Sequence, residues 1–559
     1  MITTLIEGLF IKMPMGLGKS LLDLTRKMAR RNPLCGILGT LVFLGICSAI
    51  GVAASGAVID ALKKSPLRYA GFYTVLAVYA AYLLISLPVF YLFAYVKAGR
   101  LTRGLTIQKK ARFTARQMKA SRNGALTDEV FLGRSMWSRK SSYLSTEMRK
   151  MHCHIVGSTG SGKTDSLVLP LFVQDIERGR GAIIMDAKGD RETLNKILYH
   201  VKRAGRDQDF LFFSLAYPER SNTYNPLLRG NPTELKDKIV SANIWTEEFY
   251  KSKAEEALLL LMKCLSDVGE NITFHKLYEL LTDKDRFVAL SKRVKNAHIQ
   301  DVMESVLKRF SSFQDELSGL VALLGLIAES EFAHLLTDAK PQIDLLSAYQ
   351  KKQIVYFQLN TQGYEETARR FGRIILQDLK TISNHIQAYM PEKERFFFPV
   401  YVDEFSNFAY EAFIEFLNKA RGAHFGITMA HQSLGDLEKT GSYFVKQVME
   451  NCNIKIIMRQ DDPHSIETYS RISGTEKALK DTVQTQDDFF TQSPTGMGTV
   501  RVVDEFRLNP NMIRELGRGE AAVIIKQPFL VDVLQLDYVG DVPQEVMSIN
   551  PTKGGIWLQ

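Results

Sequence analysis

Cysteine is scarce in this chain and is not clustered. The five cysteines form no C-x-x-C pair, and no His-rich stretch with metal-ligand spacing accompanies them: Cys35, Cys47, Cys153, Cys264 and Cys452. This argues against a zinc ribbon and a disulfide framework and favours a reducing compartment. His152, Cys153 and His154 are adjacent, but neighbours on a strand point to opposite faces, so we interpret them as packing residues. Internal repeats and low-complexity tracts are also lacking, which argues against a repeat architecture.

The larger portion of the chain lacks an excess of positive charge. Residues 1–122 contain 18 Lys and Arg but only three acidic residues, whereas the whole chain is +10, so residues 123–559 carry a net charge of about −5. The basic balance therefore belongs to the N-terminal segment and is no evidence for nucleic-acid binding. A surface that binds nucleic acid would have to be a local patch.

Two N-terminal stretches contain no charged residue. Residues 34–59 and 69–96 each exceed the ~20 residues that a helix needs to cross a bilayer, and only residues 60–68 separate them. A buried soluble helix or a cleaved signal peptide fits such lengths poorly. Lys and Arg cluster before the first stretch and after the second, so the positive-inside rule puts both termini in the cytoplasm. We predict a transmembrane hairpin over residues 34–96.

A phosphate-binding loop follows this anchor. Residues 157–164 fit the pattern G-x-x-x-x-G-K-[ST], between an apolar strand pattern and an amphipathic helix: Gly157, Ser158, Thr159, Gly160, Ser161, Gly162, Lys163 and Thr164. In such loops backbone N–H groups surround the phosphates, the lysine reaches the β- and γ-phosphates, and the hydroxyl binds Mg²⁺. A flexible Gly/Ser loop that matches by chance is the alternative. The flanking strand and helix favour a site for ATP and Mg²⁺.

An acidic pair ends a second apolar stretch far downstream. Residues 396–402 are almost wholly apolar, and Asp403 and Glu404 follow at once. Asp403 is positioned to hold the metal or its water, and Glu404 to orient and deprotonate the attacking water. Alone, the pair would also fit a solvated strand end. Together with the phosphate-binding loop, it predicts an ATPase.

Two further polar residues flank the next predicted strand, residues 426–429. Gln432 follows the strand and is suited to sense the γ-phosphate. Arg421 ends a helix-like stretch and is a candidate arginine finger for a neighbouring subunit. An ordinary solvated cation at a helix end is an equally good interpretation of Arg421 from the sequence alone.

The apolar pattern predicts an α/β fold with a mainly parallel sheet covered on both faces. Predicted strands include residues 182–185, 210–213, 354–359, 396–402, 426–429, 454–458 and 521–525, while the polar residues 480–498 predict a mobile loop. The stretch from 232 to 341 breaks this alternation with helical patterns and predicts an all-α insert. The nucleotide-binding domain is thereby divided into a segment before the insert (131–231) and a segment after it (342–540). The remaining predicted divisions are a basic segment (1–33), the hairpin (34–96), a basic juxtamembrane linker (97–130) and a tail (541–559).

The order of these elements resembles the type IV coupling proteins, the inner-membrane motor ATPases of conjugation and type IV secretion, which are related to hexameric septal DNA translocases. The resemblance rests on the two spans, residues 157–164, 186–190 (DAKGD), 224–227 (YNPL), the helical insert, residues 402–404, Arg421 and Gln432, and on residues 506–511 and 516–521.

The resemblance implies a RecA-like nucleotide-binding domain on a protein of the bacterial inner membrane. It also implies a homo-hexameric ring with nucleotide between subunits and a central channel for single- or double-stranded DNA. By this resemblance, Lys163 and Thr164 bind phosphate and Mg²⁺, and Asp403 and Glu404 act in hydrolysis. Gln432 is the sensor of the γ-phosphate, and Arg421 is the trans finger. Two functions stay open. One is a translocase that passes a relaxase-bound strand into the secretion channel, and the other is a receptor ATPase that selects protein effectors.

Overall fold

The computed structural model describes residues 115–245, 247–488, 491–543, 547–549 and 556–558. Among these residues, no helix combines the length and the apolar character needed to cross a bilayer. The two predicted spans, residues 34–59 and 69–96, lie outside the described residues.

A large mixed sheet forms the centre of the described chain. Its strands are β1 (Glu129–Ser135), β2 (Ser141–Ser145), β3 (Cys153–Val156), β4 (Ala182–Asp186), β5 (Phe210–Ser214), β6 (Ile354–Gln358), β7 (Phe398–Asp403), β8 (Phe425–His431), β9 (Ile454–Ile457), β12 (Glu520–Ile525) and β13 (Leu530–Leu536), in the order β2-β1-β13-β12-β9-β3-β8-β7-β4-β6-β5. The strands from β9 to β5 pair in parallel. The remaining four pair antiparallel beyond β9.

The parallel strands are buried on both faces, as their nearly continuous apolar sequences predict. Alternate side chains enter two separate apolar clusters: Ile183 and Met185 of β4 belong to one, and Ala182 and Ile184 to the other. The period of two along each strand produces this division. The predicted α/β class with a mainly parallel sheet is confirmed.

Helices connect the strands and cover the sheet. They are α1 (Ala115–Asn123), α2 (Thr146–Lys150), α3 (Leu169–Glu177), α4 (Arg191–Arg203), α5 (Pro232–Ala242), α6 (Glu248–Asp267), α7 (Phe274–Thr282), α8 (Lys284–Ser291), α9 (Ala297–Lys308), α10 (Phe310–Glu316), α11 (Ser318–Ala328), α12 (Leu345–Gln350), α13 (Glu365–Tyr389), α14 (Phe413–Ala420), α15 (Leu434–Glu438), α16 (Ser442–Asn451), α17 (Pro463–Ile472) and α18 (Pro510–Arg514). Helices α5 to α12 all lie between β5 and β6.

Polar contacts hold the base of this helical segment. Its two connections run side by side, because Tyr224 forms a parallel bridge with Ile343. Lys238 of α5 is fully buried and donates to Asp378 Oδ1 of α13 at 2.8 Å, while the Tyr224 hydroxyl donates to Asp378 Oδ2 at 2.7 Å. Asn225 Nδ2 donates to the carbonyl of Ile272 at 2.9 Å. The sequence YNPL therefore ties the helical segment to the sheet domain.

All seven predicted strands occur, but three strands of the large sheet were not predicted. β1, β2 and β13 lie at or near the antiparallel edge, where polar and glycine residues interrupt their apolar pattern. The prediction of a loop over residues 480–498 was wrong, since β10 (Thr475–Asp488) and β11 (Thr491–Phe506) form a separate two-stranded sheet. Backbone pairing does not require the apolar alternation on which the prediction rested. Residues 547–549 and 556–558 form a second small pair, β14 (Met547–Ile549) with β15 (Ile556–Leu558).

Candidate nucleotide-binding site

The predicted phosphate-binding loop and the acidic pair lie at the same edge of the sheet. Strands β3, β8, β7 and β4 are consecutive neighbours and run in parallel, so their carboxyl ends meet. The loop leaves β3, Gln432 follows β8, and Asp403 ends β7. The order of the strands therefore brings together residues that are about 240 positions apart, as Lys163 and Asp403 are.

The loop is anchored to the sheet by backbone hydrogen bonds. The Gly157 amide donates to the carbonyl of His431 at 3.2 Å, and the Ser158 amide donates to that of Arg459 at 2.9 Å. Gly162 has φ +95°, which a residue with a Cβ rarely adopts. The buried Lys163 ammonium donates to the carbonyl of Gly157 at 2.7 Å across the loop. A π-helical turn, Thr164–Val168, then leads into α3, and such turns are frequent at functional sites.

Thr164 and Asp403 are in direct contact. The Thr164 hydroxyl donates to Asp403 Oδ2 at 2.6 Å. Burial raises the pKa of Asp403, and the hydrogen bond from Thr164 opposes that rise. A hydroxyl beside a buried carboxylate supplies the hard oxygen donors that Mg²⁺ prefers, with phosphate oxygens and water completing its shell. Within the described ranges, no group of three or more His, Cys, Asp or Glu side chains is arranged to hold a metal by itself.

Glu404 has an unusual backbone conformation. Its φ of 49° and ψ of 45° lie in the left-handed region, directly before the 3₁₀ turn Phe405–Asn407. Such a conformation costs a non-glycine residue about 1–2 kcal/mol. Burial, and next the charge of Asp403, raise the pKa of the Glu404 carboxyl. A strained, partly buried carboxylate beside Thr164 and Asp403 is suited to accept a proton.

Gln432 contacts the phosphate-binding loop. Thr159 Oγ1 donates to Gln432 Oε1 at 3.1 Å, and the Gln432 side chain lies near enough to the Glu404 carboxyl to oppose the rise of its pKa. The backbone carbonyl of Gln432 accepts from Gln460 Nε2 at 2.9 Å. Gln432 thus lies between the loop and Glu404, where a γ-phosphate sensor is expected.

Asp186 is a further acid, buried like Asp403, that the sequence pattern did not lead us to place in the site. It ends β4 and pairs in register with Asp403 of β7. It accepts hydrogen bonds from the Lys188 amide at 2.8 Å and from the Tyr356 hydroxyl at 2.9 Å. Burial, and next the charge of Asp403, raise its pKa to about 6. An apolar run that ends in an acid was a visible signal, the same one that indicated Asp403.

Arg421 lies far from the phosphate-binding loop of its own chain. It begins the 3₁₀ turn Arg421–Ala423, which precedes the amino end of β8, whereas the loop borders the carboxyl end of that strand. Its side chain is exposed and forms no hydrogen bond or ion pair within the residues that the structure describes. The other predicted site residues therefore meet at one edge, and Arg421 lies at the opposite edge.

Arg395 fixes the turn that carries Arg421. Its guanidinium donates to the carbonyl of Gly422 at 2.7 Å and to those of Met390 and Gln387 at the end of α13. A Cβ at Gly422 would lie 2.3 Å from Gln387 Oε1, so a side chain there would require the Gln387 side chain to move. Arg421 is thus an exposed cation on a well-held turn. This is a requirement for an arginine that acts outside its own subunit.

The predicted packing role of the histidine and cysteine residues near the loop agrees with the structure. His152 lies in a buried hydrogen-bond network, contacting the Leu417 carbonyl at 2.8 Å and the Ile427 amide at 3.2 Å. Cys153 is a buried free thiol, as are Cys264 and Cys452. Burial lowers the pKa of His152 to about 4, which keeps its ring neutral.

Similar proteins support this assignment of the fold. Residues 398–513 match the family model TraG-D_C, described as the TraM recognition site of TraD and TraG. The sequence is 22% identical to the type 4 coupling protein DotL of Legionella pneumophila, over 84% of this chain and 68% of DotL. The structure resembles unbound TrwBΔN70, a bacterial conjugative coupling protein, with a TM-score of 0.54 and 13% identity over 78% of this chain and 93% of that one.

A second TrwB structure, solved with ADP and Mg²⁺, superposes with a TM-score of 0.53 and 14% identity over 78% of this chain and 94% of TrwB. At such identities the structural likeness establishes the fold, a P-loop fold of the TrwB type. The resemblance that the motif order predicted is confirmed: the chain is a homologue of the type 4 coupling protein DotL, residues 398–513 match the TraG-D_C family model, and the fold matches that of the coupling protein TrwB.

Proposed function

We propose that this protein is an ATP-hydrolysing coupling protein that delivers substrates to a type IV secretion or conjugation channel. The observation that carries the proposal is the contact of Thr164 with Asp403 at 2.6 Å, with Lys163, Glu404 and Gln432 at the same sheet edge. TrwB, which shares the fold, was solved with ADP and Mg²⁺ and with analogues of ATP and GTP.

The residues of the site divide the work of hydrolysis. Backbone amides of residues 157–164 and the Lys163 ammonium bind the phosphate chain. Thr164 and Asp403 would hold Mg²⁺, which would neutralise charge on the phosphate oxygens. Glu404 orients the attacking water and accepts its proton, and its raised pKa suits that task. Gln432 links the γ-phosphate to the loop through Thr159.

Arg421 acts on the nucleotide of a neighbouring subunit in a homo-hexameric ring. Its position at the amino end of β8 excludes its own loop as a target. A head-to-tail ring repeats one heterologous contact, so a single exposed arginine serves each site. This arrangement makes every active site a product of two chains.

Residues 34–59 and 69–96 anchor the ring in the bacterial inner membrane, with both termini in the cytoplasm. Their charge-free sequences and basic flanks support this anchor. Lipid is thus one partner, and components of the secretion channel are others.

The proposed cargo is DNA, as a relaxase-bound single strand or as a duplex passing through the ring. The test measures ATP hydrolysis by the full-length protein in lipid nanodiscs, with and without single- and double-stranded DNA. We expect DNA to stimulate turnover, and Lys163→Ala to abolish it in both conditions. Absence of hydrolysis in the wild-type protein under all conditions would refute the ATPase.

A receptor for protein substrates is the second candidate, and the charge distribution favours it. Residues 123–559 carry a net charge of about −5, which does not attract a polyanion at long range. Under this alternative, DNA leaves turnover unchanged, and crosslinking in cells captures secreted proteins on the full-length chain in place of DNA. The same nanodisc preparation therefore distinguishes the two cargoes.

A further inference from the structure

Arg518 lies over the phosphate-binding loop, although it is about 350 residues away in sequence. A Cβ built on Gly162 would lie 3.5 Å from Arg518 Cγ and 3.9 Å from Arg518 Nε. At the end of the same side chain, Arg518 Nη2 is 3.5 Å from Asp165 Oδ2. The guanidinium thus lies beside the residues where the loop passes into the π-helical turn and α3.

The segment that carries Arg518 is hydrogen-bonded to the loop. The amide of Gly519, whose φ is 75°, donates to the carbonyl of Ser161 at 3.3 Å. The carbonyl of Gly519 accepts from Gln535 Nε2 at 3.1 Å and from the Leu536 amide at 2.8 Å. Beyond β13, the amide of Val539 donates to the carbonyl of Asp165 at 2.9 Å. The antiparallel strands β12 and β13 therefore hold Arg518 in place beside the loop.

The ion pair with Asp165 leaves most of the Arg518 side chain available. The side chain is 64% exposed, and its 3.5 Å separation from Asp165 is long for an ion pair. Asp165 has a closer partner in Lys196, a buried residue whose ammonium lies 2.9 Å from Asp165 Oδ1. Arg518 is thus not needed to satisfy Asp165, and its fork of N–H donors lies beside a region of the loop rich in backbone donors.

We propose that Arg518 binds the nucleotide through the phosphates that ATP and ADP share, on the side of the loop formed by Gly162 and Asp165. The inference rests on the proposed nucleotide site and extends it to the C-terminal strands. Backbone amides of the loop and a planar guanidinium beside it would bind the same diphosphate from different directions. Glu404 and Gln432, which the proposed function assigns to the γ-phosphate, follow β7 and β8.

This role differs from that of the other cations. Lys163 contacts the γ-phosphate in addition to the β-phosphate, and the finger Arg421 contacts the γ-phosphate alone, so their loss should affect ATP more than ADP. A contact with the shared diphosphate should affect both nucleotides alike. A charge-assisted hydrogen bond contributes enough that its loss should raise the Kd on the order of 10- to 100-fold.

The test measures the Kd of fluorescent ADP and of a non-hydrolysable ATP analogue on full-length protein in nanodiscs, for wild type, Arg518→Ala, Arg518→Lys and Lys163→Ala. The matched control is Arg514→Ala, which removes the same charge from the exposed end of α18. We expect Arg518→Ala to raise both Kd values by a similar factor, Arg518→Lys to recover some of the affinity, and the control to bind like wild type.

Thermal unfolding without nucleotide separates binding from structure. Unchanged affinities of Arg518→Ala, or a loss confined to the ATP analogue, would overturn the inference. The inference would also be overturned if Arg518→Ala and wild type had the same Kd when each is measured the same number of degrees below its own melting temperature. If Lys163→Ala also binds normally, the proposed nucleotide site itself is refuted, so the two failures are distinguishable.

Discussion

The position of Arg421 gives the sharpest prediction about how subunits cooperate. Strand β8 spans seven residues between the turn that carries Arg421 and the edge that carries the phosphate-binding loop. At ~3.3 Å per residue this is about 20 Å, far more than an arginine side chain can reach. Arg421→Ala should therefore leave nucleotide binding by its own chain intact and yet abolish hydrolysis at the neighbouring site.

Mixed rings test this directly. Arg421→Ala and Lys163→Ala should each lower turnover on the order of 10³-fold or more. In a random equimolar mixture, about one quarter of the interfaces pair an intact Lys163 with an intact Arg421 of the neighbour. Turnover of the mixture should then exceed that of either mutant by two orders of magnitude or more.

The assay is ATP hydrolysis by rings reassembled from differently tagged chains, with mixed composition verified by crosslinking. Lys419→Ala removes an exposed cation two residues before Arg421 and should remain active. Arg395→Gln removes the hydrogen bonds that hold the turn of Arg421 and should therefore lower hydrolysis. Rings mixed from Arg395→Gln and Lys163→Ala chains should recover hydrolysis, as mixtures with Arg421→Ala do. Verified mixed rings without recovery would refute the trans role and reduce Arg421 to a surface cation.

Three further predictions concern single sites. Glu404→Gln should bind ATP but hydrolyse it slowly. Glu404→Gly should also lose hydrolysis, but it should gain about 1 kcal/mol of stability, because glycine relieves the left-handed strain. A melting temperature of Glu404→Gly no higher than that of Glu404→Gln would contradict this. The pKa of Asp186, about 6, lies above its unfolded value near 3.9, so its stabilising effect is fully present below pH ~4 and is lost as the pH rises through 6. Across that window and without Mg²⁺, the unfolding free energy of wild type should fall by at most about 3 kcal/mol relative to that of Asp186→Asn. Denaturant titration would measure this difference. Lys238→Met should cost about 3–5 kcal/mol by leaving Asp378 buried without its cation, and a loss below 1 kcal/mol in the same titration would show that the pair contributes little.

The sequence predicted those elements of the site that short, contiguous patterns encode. Residues 157–164 carry their chemistry within one loop, and the apolar run before Asp403 has the signature of a parallel strand. Asp186 follows a run of the same kind, yet its proximity to Asp403 depends on β4 lying beside β7. Nothing local fixes that pairing.

The C-terminal contribution was beyond sequence reasoning for a similar reason. Arg518 reaches Gly162 because β12 returns antiparallel along β9 and β13 pairs with it, which places Gly519 against Ser161. β13 was not predicted because its Asp532 and Gln535 interrupt the apolar pattern. β13 lies two strands from the sheet edge and tolerates these residues because both positions are only partly buried.

Strand β8 has Gln432 beyond one end and Arg421 beyond the other, so under the proposed trans role one chain would contribute to two sites. All seven residues of β8 are buried, while Gln432 and Arg421 are exposed. A rigid element of this kind can transmit a shift at Gln432, caused by the γ-phosphate, to the turn of Arg421. The two ends should nevertheless behave differently in mixed rings. Gln432→Ala impairs the site of its own chain, and Lys163→Ala does the same, so no interface in their mixture contains both intact residues on one chain. We expect no recovery for this pair, in contrast to Arg421→Ala, and recovery would mean that Gln432 also serves the neighbouring site.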